Sequence, residues 1–317
     1  MKTPSTHRTL LLAVGAILLT ELTACGARSD DTARPTAARP PFNSDSAMSY
    51  VRQQLAFGPR VPGTPAARRT GDWIVARLKG TADTVLEQTW TATTTKGTKV
   101  PLRNIFARFR PEAPDRVLYL THWDTRPVAD QESESARKKL PIPGANDGAS
   151  GVALLLAVAD ALKKAPPGFG VDLLFVDGED YGVWGPPDTD VLLGSTYFAE
   201  HLPSPNYKPL FGVLWDMIGD VDLQIYQEVN SVQAAPEVVQ RVWDKAKELG
   251  YEKYVIPEAK NFPITDDHVP LIKAGLRVID VIDIDFDCHH KLCDDIDKVS
   301  EKSLAIVGQI ALGLVMK

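Results

Sequence analysis

From about residue 45 onward, apolar runs of strand length alternate with segments of helical periodicity. Runs at 86–93, 103–110 and 116–121, and again at 171–177, 210–216, 222–227 and 276–283, predict strands. Several are continuously apolar, as expected of strands buried on both faces. Helices are predicted at SAMSYVRQQLAFG, with a cap in Ser44-Asp45-Ser46, and at AARRTGDWIVARLKG, where Pro65 after Thr64 takes a first-turn position. Further helices are predicted at 149–163, ended by Pro166-Pro167-Gly168, and at 194–201, 236–249 and 300–316. Strands separated by helices predict an α/β fold: a single-domain three-layer sandwich whose central, mostly parallel or mixed sheet carries helices on both faces. No Pro/Gly-rich break divides this body. The longest stretches without regular pattern, 123–146, 181–193 and 284–299, read as loops that build a site.

Five polar side chains stand where apolar runs give out. They are His122 after RVLYLT, Asp147 in PGANDGASG, Asp180 after VDLLFVDGE, Asp216 after LFGVLW, and His290 in FDCHHKLCDD. A buried strand ending in a polar residue delivers that side chain at its carboxyl end, the edge where open α/β sheets bind ligands. Imidazole with carboxylate, and no thiolate among the five, suits zinc or a similar divalent ion in a catalytic site. Asp124 lies two residues after His122, on the same side of an extended segment, and so can accept the other ring N–H of that histidine. Glu179 and Asp180 are adjacent and point opposite ways, so one can bind metal while the other faces substrate as a general base. Each position alone has an ordinary explanation as a turn, a cap or a solvated loop. Together, at strand ends and adjoining loops of one α/β pattern, they predict a metal site.

The N-terminus reads differently. Lys2 and Arg8 precede an apolar stretch, Leu10 to Thr20, that is too short to span a bilayer. Leu22-Thr23-Ala24-Cys25-Gly26 resembles a bacterial lipobox, which implies a signal peptide over 1–24 and lipid attachment at Cys25. Residues 25–44, rich in Pro, Ala and Arg, read as a disordered tether, leaving 45–317 as the catalytic domain. The expected location is extracytoplasmic, in the periplasm or at the cell surface, with the membrane engaged only through the lipid. A net charge of −6 without any basic stripe argues against a nucleic-acid partner.

The segments HWDTRP (122–127), PIPGANDGASGVA (141–153), FVDGEDYG (175–182), WDMIGD (215–220), TDDHVP (265–270) and HHKLCDDIDKVS (289–300) resemble, in order, the zinc-dependent aminopeptidase superfamily, and most of all its glutaminyl-peptide cyclotransferase branch. The resemblance covers nearly everything after residue 45. It implies one zinc held by Asp147, Asp180 and His290, with Glu179 as the proton shuttle. Asp216 and Asp266 would orient the substrate, and Trp184 would line its pocket. In the dinuclear aminopeptidases the matches of His122 and Asp216 hold a second zinc with Asp147 bridging, so either one or two zincs are compatible. The substrates implied are peptide or protein N-termini.

Three positions depart from the pattern. Asp180 stands where many relatives have Glu, and Lys291-Leu292-Cys293 replaces a Thr-Pro-type turn. His289 takes the place of a pocket tryptophan and is assigned with Trp184 and His122 to the substrate side. Asp266, in place of a more usual Ser, and the Trp- and Pro-containing loop after Asp180 tilt the reading from peptidase towards cyclotransferase. A catalytically inactive binding domain of the same fold is the third expectation, disfavoured because the ligand positions and Glu179 are intact. Cys288 and Cys293 either pair, stiffening the loop that bears His290, or remain free thiols; the spacing does not decide. The alternation of Asp280, Asp283, Asp285 and Asp287 reads as the solvated edge of a strand rather than a calcium site.

Overall fold

The computed structural model describes residues 41–316. The expected signal segment, Cys25 and the tether up to residue 40 fall outside the described residues. Helices α1 (Ser44–Phe57) and α2 (Pro65–Lys79) lead into strands β1 (Thr84–Thr93), β2 (Lys99–Phe109) and β3 (Arg116–His122). Then come α3 (Ala149–Lys164), β4 (Gly170–Val176), α4 (Leu193–Glu200), β5 (Phe211–Asp216) and β6 (Ile225–Gln227). The last third holds α5 (Val229–Ala234), α6 (Pro236–Glu248), β7 (Val255–Ala259), α7 (His268–Lys273), β8 (Val278–Ile282) and α8 (Glu301–Val315).

Six strands form one mixed sheet in the order β1-β2-β4-β3-β5-β8. The β1–β2 and β2–β4 pairs are antiparallel, and β4, β3, β5 and β8 run parallel, so their carboxyl ends share an edge. Every residue of β3, β4 and β5 is buried, which is why their sequences read as near-continuous apolar runs, interrupted within β4 by the buried Asp172. The pleat sends alternate side chains to opposite cores. Val117 and Tyr119 join a large cluster with α1, α2, α3, α6 and α8, whereas Leu118 and Leu120 join a smaller one with Phe198 of α4 and Leu271 of α7. Helices thus cover both faces. Among the described residues no helix is long and apolar enough to cross a membrane.

Helix α3 presses hard on the sheet: a Cβ on Gly151 would meet Thr121 Oγ1 at 2.1 Å and the Trp215 carbonyl oxygen at 2.4 Å. Glycine there allows the close approach that sets the loop before α3 against the ends of β3 and β5.

Several expectations need correction. Helix α1 is capped by Asn43, whose side chain accepts from the Ser46 N–H, not by Ser44-Asp45-Ser46. Phe42 is buried against Gly308 of α8, so the folded body begins before residue 45 and takes in the end of the expected tether. The strand expected at 222–227 shrinks to β6, which leaves the main sheet and pairs with β7. Strand β7 and helix α5 were not anticipated; β7 reads VIPEA, with a proline that masks its strand character, and α5 spans only six residues. The aspartates from 280 to 287 are not a uniformly solvated edge. Asp285 and Asp287 are exposed, but Asp280 and Asp283 are buried, because α5 and β6 pack against β8.

Candidate active site and metal centre

The carboxyl ends of the parallel strands converge with the loops that follow them. His122 is the last residue of β3 and Asp216 the last of β5. Asp147 precedes α3 by one glycine, Gly148, which has a φ of 89° and where an added Cβ would lie 2.7 Å from the Asp124 carbonyl oxygen. Asp147 is the centre of the arrangement. Its Oδ1 lies 3.1 Å from His122 Nε2, which is also 3.1 Å from Asp216 Oδ1. Its Oδ2 lies 3.9 Å from His290 Nε2, which is 3.4 Å from Asp180 Oδ2. One carboxylate therefore faces two donor groups. His122, Asp147 and Asp216 place ligand atoms within 4.8 Å of one another, and so do Asp147, His289 and His290.

Supporting groups fix these side chains. Asp124 approaches His122 Nδ1 at 3.5 Å, as the HxD spacing predicts, and its two oxygens also accept the backbone N–H groups of Glu179 and Asp180 at 3.1 and 3.2 Å. Asp294 accepts the N–H groups of Asn146 and Asp147 at 2.7 and 3.1 Å. Arg60, fully buried, donates to the carbonyls of Trp123, Pro143, Gly144 and Asp147. Cys288 and Cys293 form a disulfide across His289-His290, which settles the alternative left open by their spacing. His290 is held at φ 55°, a left-handed conformation that costs a non-glycine residue roughly 1–2 kcal/mol. Asp294, Arg60, Arg126 and Asp130 were not singled out in the sequence. The only local signal was that Arg126 stands inside HWDTRP and Asp294 inside HHKLCDD.

The electrostatics show what is missing from the protein's own charges. Asp124, Asp147, Glu179, Asp180, Asp216 and Asp266 are all buried, against the two guanidiniums buried at this edge of the sheet, Arg60 and Arg126. Burial, with Asp180 and Asp266 nearby, pushes the Glu179 carboxyl well up, despite the opposing pull of His122. Burial also raises Asp180 to about 6, and raises Asp266 well up with help from Asp216 and Asp267. Asp147 is held low: burial opposes its ionisation but is outweighed by His122 and His290. Asp147 Oδ2 and Asp180 Oδ2 carry no hydrogen bond although both are buried. Acid-rich, buried, incompletely bonded oxygens beside imidazole nitrogens fit a divalent cation such as zinc, whose charge balances them.

A small cavity of about 240 Å³ opens beside these groups. Asp147, Glu179, Asp216 and Asp266 line it, with Trp184, His289 and His290. Glu179 faces the cavity while Asp180 turns towards Arg126, Trp184 and His290, the division expected for adjacent acids. Trp184 donates its Nε1–H to Asp180 Oδ1 at 2.7 Å. His122, assigned to the substrate side as well as to a second metal, is fully buried beneath the cavity and does not line it. Burial, then His290, lowers His289 to about 4, so it faces the cavity uncharged. Asp266 caps no helix through its side chain: Oδ1 accepts the neighbouring Asp267 N–H at 2.5 Å, and Oδ2 is unpartnered. Behind Asp266, His268 and Asp280 are both buried, with His268 Nε2 3.2 Å from Glu228 Oε2.

The sequence profile of Peptidase family M28 matches residues 104–315, which span the sheet from within β2 onward and every group just described except Arg60. The chain belongs to peptidase family M28. Among solved structures, a Zn-dependent exopeptidase from Parabacteroides distasonis is 37% identical, with a TM-score of 0.84 over 88% of this chain and 100% of that one. Porphyromonas gingivalis glutaminyl cyclase is 39% identical, with a TM-score of 0.82 over 86% of this chain and 97% of that one. The alkaline phosphatase isozyme conversion protein of Escherichia coli is 25% identical over 295 residues, 87% of this chain and 78% of its own. Glutaminyl cyclases and zinc exopeptidases therefore both stand among the solved structures similar to this chain.

Proposed function

We propose that this M28 protein is a zinc-dependent glutaminyl-peptide cyclotransferase that converts N-terminal glutamine of peptides or proteins to pyroglutamate with release of ammonia. The observation that carries the reading is the buried Asp266 carboxyl, which joins Glu179 and Asp216 around a cavity large enough for little more than one residue. Three carboxyls around a single-residue pocket suit a reaction in which the substrate's own amine is the nucleophile. The likeness to bacterial glutaminyl cyclases supports the same choice.

Asp147, Asp180 and His290 would hold the zinc, which supplies Lewis acidity towards a carbonyl oxygen. The glutamine side chain enters between Trp184 and the apolar wall of Met217, Ile264 and Ile282. Asp216 and Asp266 hold the α-amine and the amide in place, so that the amine nitrogen meets the side-chain carbonyl carbon within one molecule; such positioning supplies much of the rate. As the new N–C bond forms, Glu179 accepts a proton from the amine. It then returns that proton to the departing nitrogen as the amide C–N bond breaks, and ammonia leaves. A carboxyl whose hold on a proton is strengthened by burial is suited to both accept and return one.

One observation favours a second reading. His122 Nε2, Asp147 Oδ1 and Asp216 Oδ1 converge as a second cation site would require, which fits a dinuclear aminopeptidase with Glu179 as the base for an attacking water. An N-terminal glutaminyl peptide and a leucyl anilide, offered to the same purified protein, separate the two. Ammonia release from the peptide without anilide cleavage is expected; anilide cleavage without ammonia release overturns the cyclotransferase reading. On the lipobox at 22–26, we place this activity outside the cytoplasm, anchored through Cys25.

A further inference from the structure

Arg126 lies in the loop after β3 and is 1% exposed. Its Nη1 donates to Asp180 Oδ1 at 2.7 Å, while Nε and Nη2 donate to the two oxygens of Asp130, each at 2.8 Å. Asp130 Oδ1 is 3.5 Å from His290 Nδ1, the ring nitrogen turned away from the cavity's other acids. The same loop grips the His290 loop again, through the Gln131 N–H to the His290 carbonyl at 3.3 Å and the Leu292 N–H to Glu132 Oε1 at 3.0 Å.

The consequence for Asp180 is asymmetric. Its Oδ1 takes two donors, Arg126 and Trp184, and its Oδ2 takes none, leaving that oxygen 3.4 Å from His290 Nε2. Aspartate is one methylene shorter than glutamate and reaches a cation only in a restricted set of rotamers. A guanidinium bonded to both Asp130 and Asp180 locks the required one, and its planar array of five donors spans two carboxylates where an ammonium cannot.

We infer that Arg126, acting with Asp130, is a positioning residue that presents one oxygen of Asp180 and Nε2 of His290 together to a single zinc ion. The inference rests on the metal reading proposed above. Groups that orient metal ligands from behind typically account for about 10- to 100-fold in metal affinity.

Zinc affinity, measured by competition with a chromophoric chelator, tests it in the wild type and in Arg126→Lys, Arg126→Met and Asp130→Asn. Expected is tight zinc binding by the wild type, about tenfold weaker binding by Asp130→Asn and Arg126→Lys, and up to about 100-fold weaker binding by Arg126→Met. The double variant Arg126→Met/Asp130→Asn should lose less than the two single losses added together, because Arg126 and Asp130 are hydrogen-bonded to each other and act as one unit. With saturating zinc, kcat should return to within a few-fold of the wild type, since Arg126 touches no reacting atom. Wild-type affinity in folded Asp130→Asn and Arg126→Lys overturns the inference and leaves the metal reading standing, whereas a wild type that binds no zinc removes both. If Arg126→Met does not fold, Asp130→Asn, altered at a partly exposed side chain, decides.

Discussion

Replacing Gly151 by alanine tests whether the close seat of α3 on the sheet is what assembles the site. An added Cβ would lie 2.1 Å from Thr121 Oγ1 and 2.4 Å from the Trp215 carbonyl oxygen. The threonine side chain can rotate away, but the carbonyl belongs to the backbone of a central strand and cannot. Ordinary contact begins near 3.4 Å. The first turn of α3 must therefore retreat by about 1 Å, since packed interiors have no slack to absorb it. Overpacking costs about 1–3 kcal/mol, partly offset by roughly 1 kcal/mol from alanine's better helix propensity. A net loss of up to about 2 kcal/mol corresponds to a Tm lower by up to about 4 °C in a domain of this size. The larger effect falls on the site. Asp147 stands two residues before α3, and a shift of that size parts it from His122, now at 3.1 Å. A 1 Å misplacement can cost about 100-fold in turnover. Thermal melting and chelator competition, compared with Gly168→Ala where nothing lies within 4 Å of the new Cβ, measure both. A Gly151→Ala protein that melts and binds zinc like the wild type would refute the reasoning.

Glu179→Gln keeps the shape of the cavity and removes the carrier of the proton. Turnover is expected to fall by about 10²–10⁴-fold, with zinc affinity unchanged because Glu179 belongs to neither donor cluster; retained turnover in a steady-state assay takes Glu179 out of the mechanism. Asp283 makes stability depend on pH. Burial, with Asp220 and Asp285 nearby, raises its carboxyl to about 7 in the folded protein, above the ordinary value it regains on unfolding. Its contribution is therefore fully present below pH 4 and is lost as pH rises through 7, at a cost of at most about 4 kcal/mol. Asp283→Asn, which keeps an acceptor for the Gln224 N–H, should raise Tm at pH 8 and leave it nearly unchanged at pH 4. Equal melting gains at both pH values would contradict this.

Legibility in the sequence followed the range of the interaction. Strands β3, β4 and β5 were legible because burial on both faces leaves an unmistakable apolar run, and the five polar stops were legible because each sits at the end of such a run or in a loop beyond it. Asp124 was legible from a two-residue spacing. Asp130, Arg126 and Asp294 were not, because each acts on a ligand brought close only by the fold; Asp294 meets Asn146 across 148 positions. Segments α5 and β7 failed for local reasons, one too short to show a period and the other interrupted by Pro257. Asp280 and Asp283 looked solvated because alternation reveals which side chains share a face, not what later covers it.

The pinning of Asn146 and Asp147 by Asp294 also sets when the site can exist. His122, Asp147, Glu179 and Asp180 all precede the His290 loop and Asp294 along the chain, and contacts of such sequence separation close late in folding. Until they do, the acids meet as mutually repelling charges without the histidine and disulfide-closed loop that complete the cluster. A cation held by these groups would therefore load only once that loop has closed, and the free energy it contributes would fall on the finished fold alone. Chains truncated before Asp294 would lack that contribution, so that metal capture would report a complete chain.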